Sequence, residues 1–190
     1  SEKYSGNSCS LKLDELDNLK NKIKVDYIIY TLPESISWLG NIRGFDIPNT
    51  PSVKSYAIQG KNCNLEIFVI KEKLNESLIK SFETNIKFVN IKFFSKKLKK
   101  LKGKIWLDGN NCPAAVENLL SSKRTKILNK SDPVLLRKSI KNRVEIKNNK
   151  IAHRKDGLAM INLIYWLEKN KRRKLSEIDI IETLSNFRER

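Results

Sequence analysis

Ten consecutive residues, LAMINLIYWL from Leu158 to Leu167, constrain this chain more than any other stretch. Nearly every side chain in the run is apolar. A surface helix carries one apolar stripe and a wet face, so a helix apolar on all sides belongs in an interior. The one helix expected after Lys174 is too little to wrap it, and the pattern predicts a helix written for a larger body than these 190 residues supply. Upstream, Asp132 before Pro133 predicts a helix start, because an acidic N-cap accepts from free amides and proline suits the first helical position. The segment between these two features is basic and polar.

The rest of the chain alternates. Leu11, Leu13, Leu16 and Leu19 interleave with charge and predict an amphipathic helix over Ser10–Lys22. Asp26–Thr31 is a short apolar run between breakers and reads as a buried strand. Pro33 and Glu34 suit the start of a short helix that Gly40 ends after Leu39. The following loop, NIRGFDIPNTP, is rich in turn formers, and two prolines with Gly44 leave its backbone largely fixed. SVKSYAIQ and NLEIFVI flank Gly60, Lys61 and Asn62 and predict a hairpin, with Phe68 and Val69 facing inward or packed on both sides. Then follow a helix over Asn75–Thr84, a strand over Ile86–Asn90, a basic helix over Ile91–Lys102 ended by Gly103, and a strand over Lys104–Asp108. A helix over Pro113–Ser121 and a last strand over Thr125–Asn129 complete the series. This alternation predicts an α/β domain with a mixed sheet, antiparallel in its hairpin and partly parallel elsewhere. Strand gives way to helix alone near residues 130–132, so the expected division is 1–131 and 132–190.

The formal charge is +17, from 38 basic against 21 acidic residues. The densest cluster is Lys96, Lys97, Lys99, Lys100, Lys102 and Lys104, which would suit a phosphate backbone. Leu98 and Leu101 keep helical spacing within it, however. The lysines therefore read as the wet face of a helix in a chain rich in Lys, Asn and Ile throughout, and nucleic acid is not the expected partner. Phe93 and Phe94 read as core anchors rather than a base-stacking platform. Cys9, Cys63 and Cys112 are odd in number and far apart, which suits reduced thiols in a cytoplasmic protein. No apolar run approaches the roughly 20 residues of a membrane span, and SEKYSGNSCS offers no signal-peptide core. G-x-S-x-G, G-x-x-x-x-G-K and G-x-G-x-x-G are all absent. Cys112 stands before Pro113 at a helix start, where a dipole lowers a thiol's pKa, but a cysteine nucleophile would need the sole histidine, His153, beside it.

Three blocks carry a family resemblance. PVLLRKSIKNRVEIKNNKIAHRKDGLAMINLIYWLE resembles the segment that opens the catalytic domain of Xaa-Pro aminopeptidases, of the creatinase and prolidase group. The matching residues are Pro133, Lys141, Asn142, Glu145, Ala152, His153, Asp156, Trp166, Leu167 and Glu168. SISWLGNIRGFDIPNTP is similar to the family's I-A-W-L-x-N-x-R-G-x-D, with Gly40 where a bulky apolar residue is usual. KYSGNSCSLKLDEL resembles the Y-x-G-x-x-x-x-x-K that begins the second domain of the three-domain branch.

The resemblance implies a creatinase N-terminal-like α/β domain followed by the opening helices of a truncated pita-bread domain. It implies a parent enzyme that removes the N-terminal residue preceding a proline, using two divalent metals, usually manganese. Its metal ligands (two aspartates, one histidine, two glutamates) come after the W-L-E helix, so this chain is expected to hold no catalytic residue and no cofactor and to be inactive alone. Clustered hard ligands are what such a site needs. The resemblance places Trp38 and Arg43 in the outer wall of the substrate cleft, with Arg43 reaching a carboxylate or carbonyl of the peptide. The plainer reading pairs Arg43 with Asp46 as a loop brace. His153 is expected to bond Asp156 on its own helix rather than a metal. Expected partners are a peptide with proline second and either the missing catalytic half or a second copy. The alternatives to the enzyme fragment are a binding or assembly module that uses residues 158–167 as its interface and a basic nucleic-acid-binding domain that uses the lysine face.

Overall fold

The computed structural model describes residues 2–60, 62, 64–74, 79, 82, 85–120 and 124–189, so the helix expected over Asn75–Thr84 falls largely outside the described residues. The chain forms two compact units, Ser1–Ile140 and Lys141–Arg190.

In the first unit the elements run α1 (Glu2–Ser5), α2 (Cys9–Ile23), β1 (Tyr27–Tyr30), α3 (Pro33–Leu39), β2 (Tyr56–Gln59), β3 (Leu65–Val69), β4 (Ile86–Asn90), α4 (Phe94–Leu98), β5 (Gly103–Leu107), α5 (Ala114–Leu120), β6 (Thr125–Asn129) and α6 (Pro133–Ser139). The described strands form one six-stranded sheet in the order β4-β3-β2-β1-β5-β6. The β2–β3 hairpin is antiparallel, as its turn signal implies, and so is β1 against β2. The β3–β4, β1–β5 and β5–β6 pairs are parallel, which makes the sheet mixed.

Side chains alternate across this sheet with the strand period of two. On β1, Ile28 and Tyr30 enter one core and Ile29 the other; on β5, Trp106 enters the first, while Ile105 and Leu107 enter the second. The first core is closed by Leu13 and Leu16 of α2, Ile36 and Leu39 of α3, and Val134 of α6. The second is closed by Phe94 and Leu98 of α4 and Leu120 of α5. Phe68 and Val69 are both buried.

Local chemistry sets the helix ends. Ser8 accepts from the Leu11 amide to start α2, and Lys24 closes it in the left-handed region at φ 60°. Pro33 occupies the first turn of α3. Asp132 caps α6 by accepting from Val134 N, with Pro133 at the first position.

The basic stretch departs from expectation. A 3-10 turn over Ile91–Phe93 leads into α4, which stops at Leu98 instead of running to Lys102. Leu98 and Leu101 are both buried, and the chain must unwind to put Gly103 at the start of β5. Gly103 sits at φ +101°, where a side chain would also run into the Asp26 carboxylate. Phe94 is the core anchor that was expected, but Phe93 is 47% exposed, with Lys92 Nζ 5.1 Å from its ring centroid.

The second unit is a helical hairpin of α7 (Arg143–Asn170) and α8 (Glu177–Glu189). A reciprocal capping box opens α7: Asn142 Oδ1 accepts from Val144 N and Glu145 N, and Glu145 accepts from Asn142 N. Within α7 the buried residues are Ala159 and Leu163. Leu158, Ile161, Ile164 and Tyr165 are each more than half exposed, as are Ile178 and Ile181 of α8. No helix among the described residues is long and apolar enough to cross a membrane.

Candidate functional site

The loop after α3 is held from beneath by a lysine. Lys12, on α2, is buried at 2% exposure. Its ammonium donates to Trp38 O at 2.7 Å and to Asn41 Oδ1 at 2.6 Å. It also lies 4.2 Å from the centroid of the Trp38 ring, a cation–π distance. Asn41 takes a left-handed backbone at φ 51°, which its short polar side chain tolerates, and its Nδ2 donates to Asn7 O at 2.9 Å. The N-terminal Y-x-G block and the W-L-G-N block thus meet in space through Lys12.

Arg43 is exposed. Its Nη1 donates to the carbonyls of Ser37 at 3.1 Å and Ile42 at 2.8 Å, so the guanidinium braces the turn it springs from. The expected Arg43–Asp46 pair does not form. Asp46 instead pairs with Lys73 and accepts from Lys54 N at 2.8 Å. Those contacts, the Lys73 bond first, hold its carboxyl below the usual carboxylate range. A cavity of about 360 Å³ opens here, lined by Ile42, Arg43, Asp46, Val69, Lys73 and Phe88 among others. Arg43 borders it; Trp38 is not among its described lining residues. Phe45, at the tip of the loop, is 96% exposed.

Two glycines shape this loop. A Cβ at Gly44 would stand 2.6 Å from Val53 Cγ2, so the close return of the chain past Val53 requires glycine. A Cβ at Gly40 would meet Ile36 O and Ile67 Cδ1, each at 3.3 Å. The missing side chain therefore leaves no gap, because Ile67 of β3 fills it.

A second polar cluster sits where α6 leaves the sheet. Asp108 Oδ2 accepts from Asp132 N at 2.8 Å and from Asn111 Nδ2 at 3.0 Å, and Oδ1 accepts from Asn110 N at 3.2 Å. Burial works to raise the Asp108 carboxyl, and these bonds outweigh it and hold it below the usual range. Burial wins at Asp132, which is raised although Val134 N donates to its Oδ1 at 2.8 Å. Asp132 Oδ2 and Ser35 Oγ are both buried and short of strict hydrogen-bond geometry, yet the Ser35 hydroxyl lies near enough to offset part of the burial effect on the Asp132 carboxyl.

Cys112 and His153 stand in other surroundings than the sequence suggested. Burial, reinforced by Glu117, pushes the Cys112 thiol up to about 11, the opposite of what the helix start suggested. His153 is exposed on α7, and Asp156 is bonded at 2.7 Å to Arg188 of α8, not to His153. Among the described residues, no group of three or more His, Cys, Asp or Glu side chains could hold a metal. The donor set of the described residues does not fit a two-metal centre. Lys12 and Asn41 are residues of this candidate loop that sequence reasoning left without a role. The only signal was the motif lysine itself, since nothing in linear spacing says that residue 12 lies under residue 38.

The family model of the creatinase/prolidase N-terminal domain matches residues 1–145. Xaa-Pro aminopeptidase 1 of Dictyostelium discoideum is 29% identical over 195 residues, covering 98% of this chain and 30% of its own length. A probable Xaa-Pro aminopeptidase P of Pyricularia oryzae is 33% identical over 210 residues, covering 98% of this chain and 33% of its own. The chain thus spans about a third of the length of these curated relatives. Among solved structures, the X-prolyl aminopeptidase from Caenorhabditis elegans, a cytosolic enzyme with a di-nuclear active site, matches with a TM-score of 0.88 at 23% identity, over 100% of this chain and 32% of that one. The Xaa-Pro dipeptidase from Bacillus anthracis matches with a TM-score of 0.71 at 16% identity, over 96% of this chain and 49% of that one. Both structural likenesses speak to the fold. With the family model spanning residues 1–145 of 190, the chain belongs to the creatinase/prolidase N-terminal domain family.

Proposed function

We propose that this chain is the middle-domain portion, with the first catalytic-domain helices, of a cytoplasmic Xaa-Pro aminopeptidase. The parent enzyme removes the residue that precedes an N-terminal proline. The observation that carries the proposal is the alignment of 98% of the chain with two Xaa-Pro aminopeptidases. In this reading residues 1–131 are the α/β domain, and the helices from 132 onward open the pita-bread domain, the first of them carried on the α/β body.

Trp38 and Arg43 form part of the wall against which the peptide lies. Two backbone carbonyls already hold one arm of the Arg43 guanidinium, so its remaining N–H groups are preset to meet a peptide carbonyl or carboxylate. Two divalent metals, manganese by family resemblance, would supply the hydrolytic chemistry from ligands outside this chain, and no residue here takes part in that step. The test is direct. With manganese and an Xaa-Pro peptide, the isolated 190 residues should release no amino acid, and the complete parent polypeptide should do so only when proline is second. Turnover by the isolated chain would overturn this division of labour.

A second reading has one observation in its favour. The exposed apolar side chains of α7 and α8 suit an assembly module that pairs with another copy or with a separately supplied catalytic half.

A further inference from the structure

We infer that Lys12 is a positioning residue: a buried cationic latch that fixes the ring of Trp38 and so sets the substrate wall. The inference rests on the reading that Trp38 belongs to that wall. Lys12 reaches the loop by three separate contacts, to Trp38 O, to Asn41 Oδ1 and to the π face of Trp38. The two acceptors flank the end of α3, so one ammonium fixes both the helix end and the left-handed residue that redirects the chain toward Arg43. The cation also covers one face of the indole, which stops the ring from swinging toward α2. An apolar residue in the same space beneath α3 would leave both acceptors, Trp38 O and Asn41 Oδ1, without the donor that now serves them. A lysine in the interior is costly unless its donors are matched, and here both bonds and the ring share the charge.

The latch has an arm that fold stability alone would not move. The chain holds three tryptophans, Trp38, Trp106 and Trp166. Label it with 5-fluorotryptophan and assign the Trp38 line with Trp38→Phe. Lys12→Met, which keeps the stem and removes the charge, should shift the Trp38 line and leave the other two within their widths. Lys12→Arg should restore most of the shift. If Lys12→Met does not fold, Asn41→Gly serves in its place, because glycine accepts the φ of 51° while one acceptor is lost. It should move the same line in the same direction by less. In the complete enzyme, Lys12→Met should raise KM for an Xaa-Pro peptide about tenfold and leave kcat within about twofold, the signature of lost binding geometry. A Trp38 line that stays put, or three lines that move together, overturns the latch. A shifted Trp38 line with unchanged KM leaves the latch standing and removes Trp38 from the substrate wall.

Discussion

At the scale of single residues, two neighbouring aspartates are driven in opposite directions by their surroundings, and the difference is measurable. Asp108 is held low by the donors around it, so its contribution to stability is present above the unfolded carboxylate value of about 3.9 and lost as pH falls through its lower folded value. Asp132 is raised by burial. Its contribution is full below about 3.9 and lost as pH rises through the raised folded value. Asp108→Asn should therefore cost about 1–3 kcal/mol at neutral pH, where it strips charge-assisted bonds from the amides of Asp132 and Asn110, and the loss should shrink in acid. Asp132→Asn keeps an N-cap oxygen for Val134, so it should match or exceed the parent chain at pH 7 and flatten its response to mild acid. Urea midpoints at pH 4, 5.5 and 7 decide both, and a large loss at pH 7 for Asp132→Asn would show that the buried charge is stabilising after all. Gly103 offers a purely steric counterpart. Alanine there must accept φ +101° and displace the Asp26 carboxylate, a cost of about 1–3 kcal/mol visible in the same titration.

At the scale of elements, periodicity placed most of what the structure contains. The strands at Ile86–Asn90 and Thr125–Asn129 end where the alternation ends, and the hairpin followed from its turn residues. The basic helix was overestimated because leucines at i and i+3 satisfy a helix and a helix-then-turn equally well. Only the demand that Leu101 be buried just before β5 distinguishes them. The helix end and loop bearing Trp38 and Arg43 were legible as a block, but not their wiring. Asp46 chose Lys73, and Asp156 chose Arg188, because long-range partners leave no mark in local spacing. The helical hairpin should be the softest part of the chain. Its described interior amounts to Ala159 and Leu163 on α7, and few buried contacts mean a low opening free energy. Hydrogen exchange should therefore reach the α7 amides well before those of β1 and β5. Leu163→Ala should speed α7 exchange further and leave the sheet untouched. Equal protection of α7 and β5 would mean that the hairpin is braced by more than its own contacts.

At the scale of the whole molecule, the question is what the apolar side chains of α7 and α8 are for. Their exposure is unusual because soluble proteins seldom leave contiguous large apolar patches bare, and here Leu158, Ile161, Ile164 and Tyr165 lie within eight residues. The enzyme-fragment reading assigns the patch to the interior of a complete pita-bread domain; the assembly reading assigns it to a partner surface. One double variant, Ile161→Lys with Ile164→Lys, separates both from an incidental patch. Lysine is a good helix former, and both positions are exposed, so far-UV circular dichroism of the 190-residue chain should not change. Binding of an apolar dye should roughly halve, and any rise of scattering mass with concentration should disappear. On the enzyme-fragment reading the same two charges would have to be buried in the whole protein, and they should cost several kcal/mol or prevent folding, as unpaired interior charges do. A complete enzyme that carried both lysines at an unchanged melting temperature would leave the patch uncovered in its parent and turn the argument toward association between chains. A wild-type chain that stayed monomeric at high concentration and bound no dye would dismiss the interface reading.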